Sequence, residues 1–241
     1  MNLWSNLLRE CKDCLFPIFC IECKIEGSWW CENCIKKNVC IGIFCCPVCH
    51  VQNTNGNPCY KCKAVSPLNG VAAFLNYNDN LIIAKLIKQY KYNFAFDIIE
   101  VWEKIIDINL LDIISRMNID MTFFTIIPVP LHNRRERERG FNQSDLIAKL
   151  IYQKISTLKK VDFDNKSLVR KKYTTQQAKL NRIDRFNNLK DVFDWSGNKP
   201  VPRNILLIDD VYTSGATTQE CARVLKKTGA QKVFALTLAR D

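Results

Sequence analysis

Short apolar runs and helically spaced apolar residues alternate along most of the chain, most clearly near its carboxyl end. Residues 204–208 and 232–238 are each dominated by aliphatic side chains, a pattern typical of strands buried in a parallel sheet. Between them, residues 217–227 space their apolar positions three and four apart and are followed by Gly229, which predicts a helix. This order predicts a crossover unit, in which ligands bind at the carboxyl ends of the strands.

The same alternation continues upstream. Residues 71–77 are predicted to form a strand, and a helix capped near Asn78 or Asp79 is expected to follow. Residues 126–130 predict a strand that runs into a rigid turn, and the charged segment 132–140 comes next. The pattern as a whole predicts the α/β fold class with a parallel sheet.

The first quarter of the chain has a different pattern, because twelve of the thirteen cysteines lie between Cys11 and Cys62. Most form pairs separated by two residues, so that both sulfurs of a tight turn can face one ion. Two such turns complete a tetrahedral site, and the spacing predicts two structural zinc ions. The ligands would be Cys20, Cys23, Cys31 and Cys34 in one site and Cys46, Cys49, Cys59 and Cys62 in the other.

Alternative ligand sets stay open. Pairing across the two sets is one of them, and substitution by neighbouring residues is another. The neighbours are Cys11, Cys14, Cys40, Cys45 and His50. Proline and glycine near residues 66–70 place the end of the cysteine-rich module at residue 66, so that residues 67–241 would form the α/β domain.

A disulfide framework would require an oxidising compartment. The opening residues lack the basic-then-apolar order of a secretion signal. No apolar run approaches the roughly 18 residues of a membrane-spanning helix. We therefore expect a cytoplasmic protein without membrane insertion, and zinc rather than disulfides.

The net charge of +11 is concentrated in residues 130–190, which hold 16 basic and 6 acidic side chains. Each four-thiolate zinc site has a formal charge of −2, so the metal-loaded cysteine module is expected to be negative. A nucleic acid would therefore bind residues 130–190 rather than the module. The candidate contacts are Lys171, Lys172, Lys179, Arg182 and Arg185. The rings of Phe163, Tyr173 and Phe186 would either stack on bases or fill the core.

The segment between the two carboxyl-terminal strands is suited to a phosphorylated sugar. Two carboxylates, Asp209 and Asp210, are expected to end the first strand, where they can accept hydrogen bonds from vicinal sugar hydroxyls. Backbone amides, hydroxyl groups and the helix dipole that follow can hold a phosphate. The whole candidate site comprises Asp209, Asp210, Val211, Tyr212, Thr213, Ser214, Gly215, Ala216 and Thr217. Neither a Walker A sequence nor GxGxxG occurs, which excludes the commonest nucleotide fingerprints.

Three stretches of the sequence resemble known families. ILLIDDVYTSGAT (205–217) resembles the phosphoribosyl-pyrophosphate (PRPP) motif of type I phosphoribosyltransferases. PVPLHNRRERERGFNQ (128–143) and the segment from Thr175 to Phe193 resemble signatures of the ComF competence-protein family. The cysteine-rich front is similar to the double zinc ribbon that often precedes that domain.

The resemblance implies a type I phosphoribosyltransferase-like domain behind a small zinc-ribbon module. Asp209 and Asp210 would hold the ribose hydroxyls and residues 213–217 the 5′-phosphate, with Mg²⁺ bound alongside PRPP. On the pyrophosphate side the resemblance implies Pro128, Val129, Pro130, Arg139 and Gly140.

The implied function is that of a PRPP-binding protein that handles single-stranded DNA during natural transformation, together with other competence proteins. Two alternatives remain open. In the first, an acceptor displaces pyrophosphate from C1′ while Mg²⁺ neutralises the leaving group. In the second, the protein is a sensor that binds PRPP without turnover. The sequence identifies neither an acceptor nor a catalytic residue.

Overall fold

A computed structural model describes residues 17–38, 42–77, 81–92, 98–119, 123–174, 188–197 and 199–241. A six-stranded sheet contains β1 (Ile43–Cys45), β2 (Gly70–Asn76), β3 (Phe124–Pro128), β4 (Val161–Phe163), β7 (Asn204–Tyr212) and β8 (Lys232–Arg240). A separate antiparallel pair contains β5 (Leu168–Arg170) and β6 (Phe193–Trp195). The strand order in the large sheet is β1-β2-β8-β7-β3-β4, in which only β1 is antiparallel to its neighbour. The predicted α/β fold with a mostly parallel sheet is confirmed.

Helices cover both faces of this sheet. They are α1 (Glu32–Asn38), α2 (Leu81–Tyr92), α3 (Ile98–Arg116), α4 (Asn133–Arg139), α5 (Gln143–Ser156) and α6 (Ala216–Lys227), and a 3-10 helix spans Tyr60–Cys62. Side chains of α2, α3 and α5 pack in one hydrophobic cluster, and those of α6 pack with β5 and β6 in another. No helix in the described parts of the chain is long and apolar enough to cross a membrane.

The central strand β7 shows why the sheet is buried on both sides. Leu206 and Ile208 belong to the first hydrophobic cluster, whereas Ile205 and Leu207 belong to the second. Because successive side chains of a strand point to opposite faces, a continuous aliphatic run suits a strand covered on both faces. This is the pattern that predicted the strand from sequence.

Strand β7 is longer than predicted, because it continues beyond Ile208 to Tyr212. The extension pairs with the end of β8, where Asp209 lies opposite Thr237 and Tyr212 lies opposite Arg240. Backbone hydrogen bonds of the ladder keep this polar segment extended. The two carboxylates therefore lie within the strand rather than at its end, which corrects the prediction.

The cysteine-rich region contributes a strand to the sheet. In β1, Ile43, Phe44 and Cys45 pair with Ala73, Ala72 and Val71 of β2. The predicted boundary between residues 66 and 67 thus lies between two strands of one sheet. The division into two domains at that point stays a prediction.

The charged segment after β3 forms a short helix. The Nδ1 atom of His132 accepts a hydrogen bond from the backbone N–H of Arg134 and caps α4 at its start. Gly140 ends the helix with a φ of 76°, a left-handed conformation that favours glycine. The oxygen of the Asn142 side chain then caps α5 by accepting from the N–H of Ser144. The side chain of His132 thus has a structural task as the cap of this helix.

Candidate functional site

A cleft of about 710 Å³ opens at the carboxyl ends of the parallel strands. Its walls include Tyr77 after β2, Val129 and Pro130 after β3, and Asp241 after β8. The middle is formed by the end of β7 and the start of α6. This is the edge of the sheet at which a crossover fold is expected to bind its ligand.

Five of the nine residues predicted for the sugar-phosphate site line this cleft: Asp209, Asp210, Val211, Thr213 and Thr217. The other four lie behind the lining. Tyr212, Ser214 and Ala216 are buried, and Gly215 caps α6 with a φ of 75°. Of the predicted pyrophosphate side, Val129, Pro130 and Arg139 line the cleft, whereas Pro128 is a residue of β3 and Gly140 is the cap of α4.

A hydroxyl group that the sequence analysis missed is bonded to the first carboxylate. The Oγ atom of Ser144 donates to Oδ1 of Asp209 over 2.9 Å, and the backbone N–H of Asp210 donates to the same oxygen. The Asn142 amide meanwhile donates to the carbonyl of Val129. The first turn of α5 therefore joins the turn after β3 to the carboxylates of β7.

Two buried donors also line the cleft. Arg170 is only 9% exposed, and its Nε atom has no hydrogen-bond partner among the described residues. The Nε2 atom of Gln143, which is 1% exposed, is likewise without an acceptor there, although Arg139 donates to the Oε1 atom of this side chain. Buried polar groups normally have partners. These donors are therefore suited to an anionic ligand.

The charge distribution of the cleft also fits an anion that carries hydroxyl groups. Cationic side chains stand on both walls: Lys85, Lys88, Arg135, Arg139 and Arg170. Asp209, Asp210 and Asp241 contribute the acidic groups. Burial, together with the positive charge of Arg135, lowers the pKa of Arg170 to about 10. An anion beside the Arg170 guanidinium would relieve both effects.

Eight cysteines come together in the two predicted groups. In each group the four sulfur atoms lie within 4.8 Å of one another. The Cys23 and Cys31 sulfurs are 3.6 Å apart, and the Cys49 and Cys59 sulfurs are 3.8 Å apart. A tetrahedral zinc ion with Zn–S bonds of about 2.3 Å requires sulfurs about 3.8 Å apart. The contiguous sets therefore have the geometry of zinc sites.

The two groups repeat one backbone design. The N–H of the third cysteine donates to the sulfur of the first, from Cys31 to Cys20 and from Cys59 to Cys46. The residue after the second cysteine has a positive φ in both groups, 64° at Lys24 and 65° at His50. Each turn therefore presents its pair of sulfurs in the same way.

Thiol ionisation in these groups also suits a cation. Burial opposes ionisation of Cys20, but hydrogen bonds from the backbone of Cys31 and Cys23 outweigh it and lower the pKa to about 6. Burial and sulfur hydrogen bonds raise the pKa of Cys34 in the same group. The second group repeats this contrast between Cys46 and Cys62. A divalent ion bound by the four sulfurs would favour the ionised form of each thiol.

No protein-family model matches the chain. Among curated proteins, it is 30% identical to the DNA utilization protein YhgH of Escherichia coli O157:H7 over 230 residues, which is 93% of this chain and 97% of that protein. It is 28% identical to Competence protein ComFC of Bacillus subtilis, covering 88% and 84% of the two chains. Competence protein F of Haemophilus influenzae is 38% identical over 117 residues, about half of each chain. The chain belongs to the ComF family.

The remaining cysteines of this ComF protein do not join the two groups in the described structure. All ten described cysteines are free thiols, so none of them forms a disulfide. Cys45 is buried in β1, and burial raises its pKa to about 11. Cys11, Cys14 and Cys40 lie outside the described residues. The His50 ring lies against Tyr212, with centroids 5.6 Å apart.

The predicted DNA-binding surface of the ComF chain is described in part. Lys172 is exposed, and the Nζ atom of Lys171 lies 2.5 Å from a carboxylate oxygen of Asp194. The other predicted contacts, Lys179, Arg182 and Arg185, lie outside the described residues, as does Phe186. Of the three rings, Phe163 packs on Tyr152 at the core. Tyr173 is 47% exposed, and Arg134 and Arg135 lie 4.9 and 5.6 Å from its ring centroid.

Proposed function

We propose that the cleft binds PRPP with Mg²⁺ and that the protein handles incoming single-stranded DNA in natural transformation. The observation that carries the first part is the grouping of Asp209, Asp210 and the 213–217 loop with arginines in one cleft. PRPP is a ribose with two vicinal hydroxyls, a 5′-phosphate and a pyrophosphate. Each of these groups has a chemical counterpart among the lining residues.

The vicinal hydroxyls can donate to the carboxylates of Asp209 and Asp210. The hydroxyls of Thr213 and Thr217 lie at the amino end of α6, where the helix dipole favours a phosphate. Arg135, Arg139 and Arg170 can then bind the pyrophosphate, because guanidinium groups form charge-assisted hydrogen bonds with phosphate oxygens. Mg²⁺ prefers oxygen ligands and would be held by carboxylate and phosphate oxygens together.

Single-stranded DNA as the partner is supported by charge and by the relatives. Relatives that match most of this chain are named for DNA utilization and for competence. Residues 130–190 carry 16 basic and 6 acidic side chains. Within them, the exposed ring of Tyr173 beside two arginines has the composition of a stacking platform for a base. Direct contact of DNA with this surface is part of the proposal, and these observations support it.

One observation favours a second candidate, transfer of the phosphoribosyl group to an acceptor. Helix α2 faces the cleft with Leu81, Ala84 and Ile87, and Tyr77 adds an aromatic ring. A flat acceptor could pack on this wall near C1′ of bound PRPP. Pyrophosphate release in the presence of candidate nucleobases would separate an enzyme from a protein that only binds PRPP.

The proposed site is tested by calorimetry of PRPP with Mg²⁺. Loss of a charge-assisted hydrogen bond typically costs about 1.5–3 kcal/mol, which is about ten- to a hundredfold in affinity. Asp209→Ala/Asp210→Ala should therefore bind at least tenfold more weakly than the wild type. The control Asp112→Ala/Asp162→Ala removes two exposed carboxylates elsewhere and should bind normally. Unchanged affinity in the folded Asp209/Asp210 variant would overturn the site.

A further inference from the structure

The second four-cysteine group is hydrogen-bonded to the segment that forms the phosphate side of the cleft. The carbonyl oxygen of Pro47, between Cys46 and Cys49, accepts from the Tyr212 hydroxyl over 2.8 Å. The same oxygen accepts from Nε2 of Gln219 over 2.5 Å. Tyr212 directly precedes the 213–217 loop, and Gln219 lies in the first turn of α6, two residues after Thr217. One carbonyl of the cysteine turn therefore bonds residues on both sides of this loop.

A further contact joins the same turn to β8. Arg240 donates from Nη2 to the carbonyl of His50 over 2.8 Å, and Arg240 is also the ladder partner of Tyr212. The backbone N–H of Asp241, which lines the cleft, donates to the carbonyl of Tyr212. The turn thus contacts the ends of both central strands at the mouth of the cleft.

The loop itself rests on the Tyr212 ring. A Cβ atom added at Gly215 would meet the Tyr212 hydroxyl oxygen at 2.3 Å and the ring at 2.6 Å. The loop therefore packs directly on the ring, with no room for a side chain between them. Tyr212 is 1% exposed, and burial raises its pKa, so its hydroxyl stays a neutral donor to Pro47.

The first four-cysteine group is anchored differently. Cys20, Trp30 and Cys34 pack in the hydrophobic cluster of α2 and α3, on the face of the sheet opposite α6. Trp30 and Asn38 both donate to the carboxylate of Glu22, within the group's own residues. Both groups have four cysteines suited to zinc. The hydrogen bonds to Tyr212 and Gln219, however, are made by the turn of the second group.

We propose that Tyr212 is a positioning residue that couples the second four-cysteine group to the phosphate loop. The metal in that group and a phosphate in the cleft then stabilise each other, and the first group does not take part. The coupling rests on the proposed PRPP binding, and linkage makes it reciprocal: a ligand that steadies the loop must also retain the metal. Both directions can be measured.

The first test follows release of zinc to the chromogenic chelator 4-(2-pyridylazo)resorcinol, with and without PRPP and Mg²⁺. PRPP should slow the release of one of two zinc ions per chain. Protection should persist in Cys23→Ser/Cys31→Ser, which keeps the second group, and vanish in Cys49→Ser/Cys59→Ser. Equal protection of both ions, or of neither while PRPP binds, would overturn the coupling.

Tyr212→Phe tests the contact itself, because it keeps the ring and removes the hydroxyl. Loss of one hydrogen bond predicts about fivefold less protection of the second zinc by PRPP. Tyr60→Phe is the matched control, because Tyr60 lies in the same group and is 97% exposed. Protection that is undiminished in Tyr212→Phe would refute the role of the contact.

Hydrogen exchange without PRPP separates this inference from the proposed function. The backbone amides of residues 213–217 should exchange severalfold faster in Tyr212→Phe and in Gln219→Ala than in the wild type or Tyr60→Phe. If calorimetry finds no PRPP binding, the proposed function fails, and this measurement still decides the positioning role. Unchanged exchange in both variants would overturn it.

Discussion

The Ser144 hydroxyl donates to Oδ1 of Asp209 over 2.9 Å, although the two residues are 65 positions apart in the sequence. Ser144 lies in the first turn of α5, and Asp209 lies in β7. The bond orients a carboxylate that lines the cleft and links it to the helix that follows the charged segment. In the proposed complex, Ser144 would act through Asp209 and orient it toward the ribose.

Replacement of Ser144 by alanine should weaken PRPP binding by about tenfold, since a hydrogen bond to a charged group contributes about 1.5 kcal/mol or more. Ser156→Ala, at the exposed end of the same helix, is the control and should bind like the wild type. Calorimetry measures both, and circular dichroism verifies the fold. Equal affinities of the two variants would show that Ser144 does not position the carboxylate.

Protein purified without added metal should contain two zinc ions per chain by elemental analysis. Cys23→Ser/Cys31→Ser and Cys49→Ser/Cys59→Ser should each retain one ion, because each removes two sulfurs from a different group. Near-zero zinc in the folded wild type, with its thiols fully titratable, would contradict the assignment. Two ions retained in either variant would point to a different ligand set.

Binding of single-stranded DNA should weaken steeply with salt, because each neutralised phosphate contributes about −0.7 to the slope of log affinity against log salt concentration. Lys171→Ala/Lys172→Ala/Lys179→Ala should make the slope shallower by about 0.7 for each lysine that contacts a phosphate. Because Lys171 is paired with Asp194, it should contribute less than Lys172.

The control for this triple variant is Lys24→Ala/Lys36→Ala/Lys37→Ala, which removes the same charge from exposed positions of the cysteine-rich region. Fluorescence anisotropy at several salt concentrations measures both slopes. An equal change in the two variants would indicate a general charge effect rather than a surface in residues 130–190.

Tyr173→Ala should lower the affinity for single-stranded DNA by about tenfold without a change in salt slope, because stacking of a base contributes about 1–3 kcal/mol and releases no counterion. Tyr173→Phe keeps the ring and should restore binding. Tyr60→Ala serves as the control, because it removes a tyrosine that is more exposed than Tyr173. An equal loss in Tyr173→Ala and Tyr173→Phe would argue against stacking.

Local patterns were enough to predict β2, β3, β7 and β8, the helix after the loop and the two cysteine groups. Aliphatic runs and two-residue gaps between cysteines act over a few residues, so they are visible in the sequence. Ser144 and Arg170 were missed because their place in the cleft depends on contacts between distant elements. Asn142 is of a residue type that often caps helices, which is a local signal for the start of α5 near Ser144. It does not indicate that Ser144 bonds Asp209.

Tyr212, which the sequence analysis included in the sugar-phosphate site, is buried beneath the loop. The alternation of side chains along the strand does not predict this position. Ile208 and Val211 both contact the first hydrophobic cluster, whereas Tyr212 belongs to the second. In a regular strand, Ile208 and Tyr212 would share a face. The Tyr212 side chain instead packs in the second cluster and bonds Pro47, which is 165 residues away in the sequence.

The pairing of β1 with β2 gives the cysteine-rich region a role in preventing aggregation. Strand β2 is buried at six of its seven positions, and β1 covers the backbone groups along its outer edge. An uncovered apolar edge is a template on which a second chain can add a strand. Loss of the metal or oxidation of the thiols, if it detached β1, would therefore cause the protein to aggregate rather than only to lose its function.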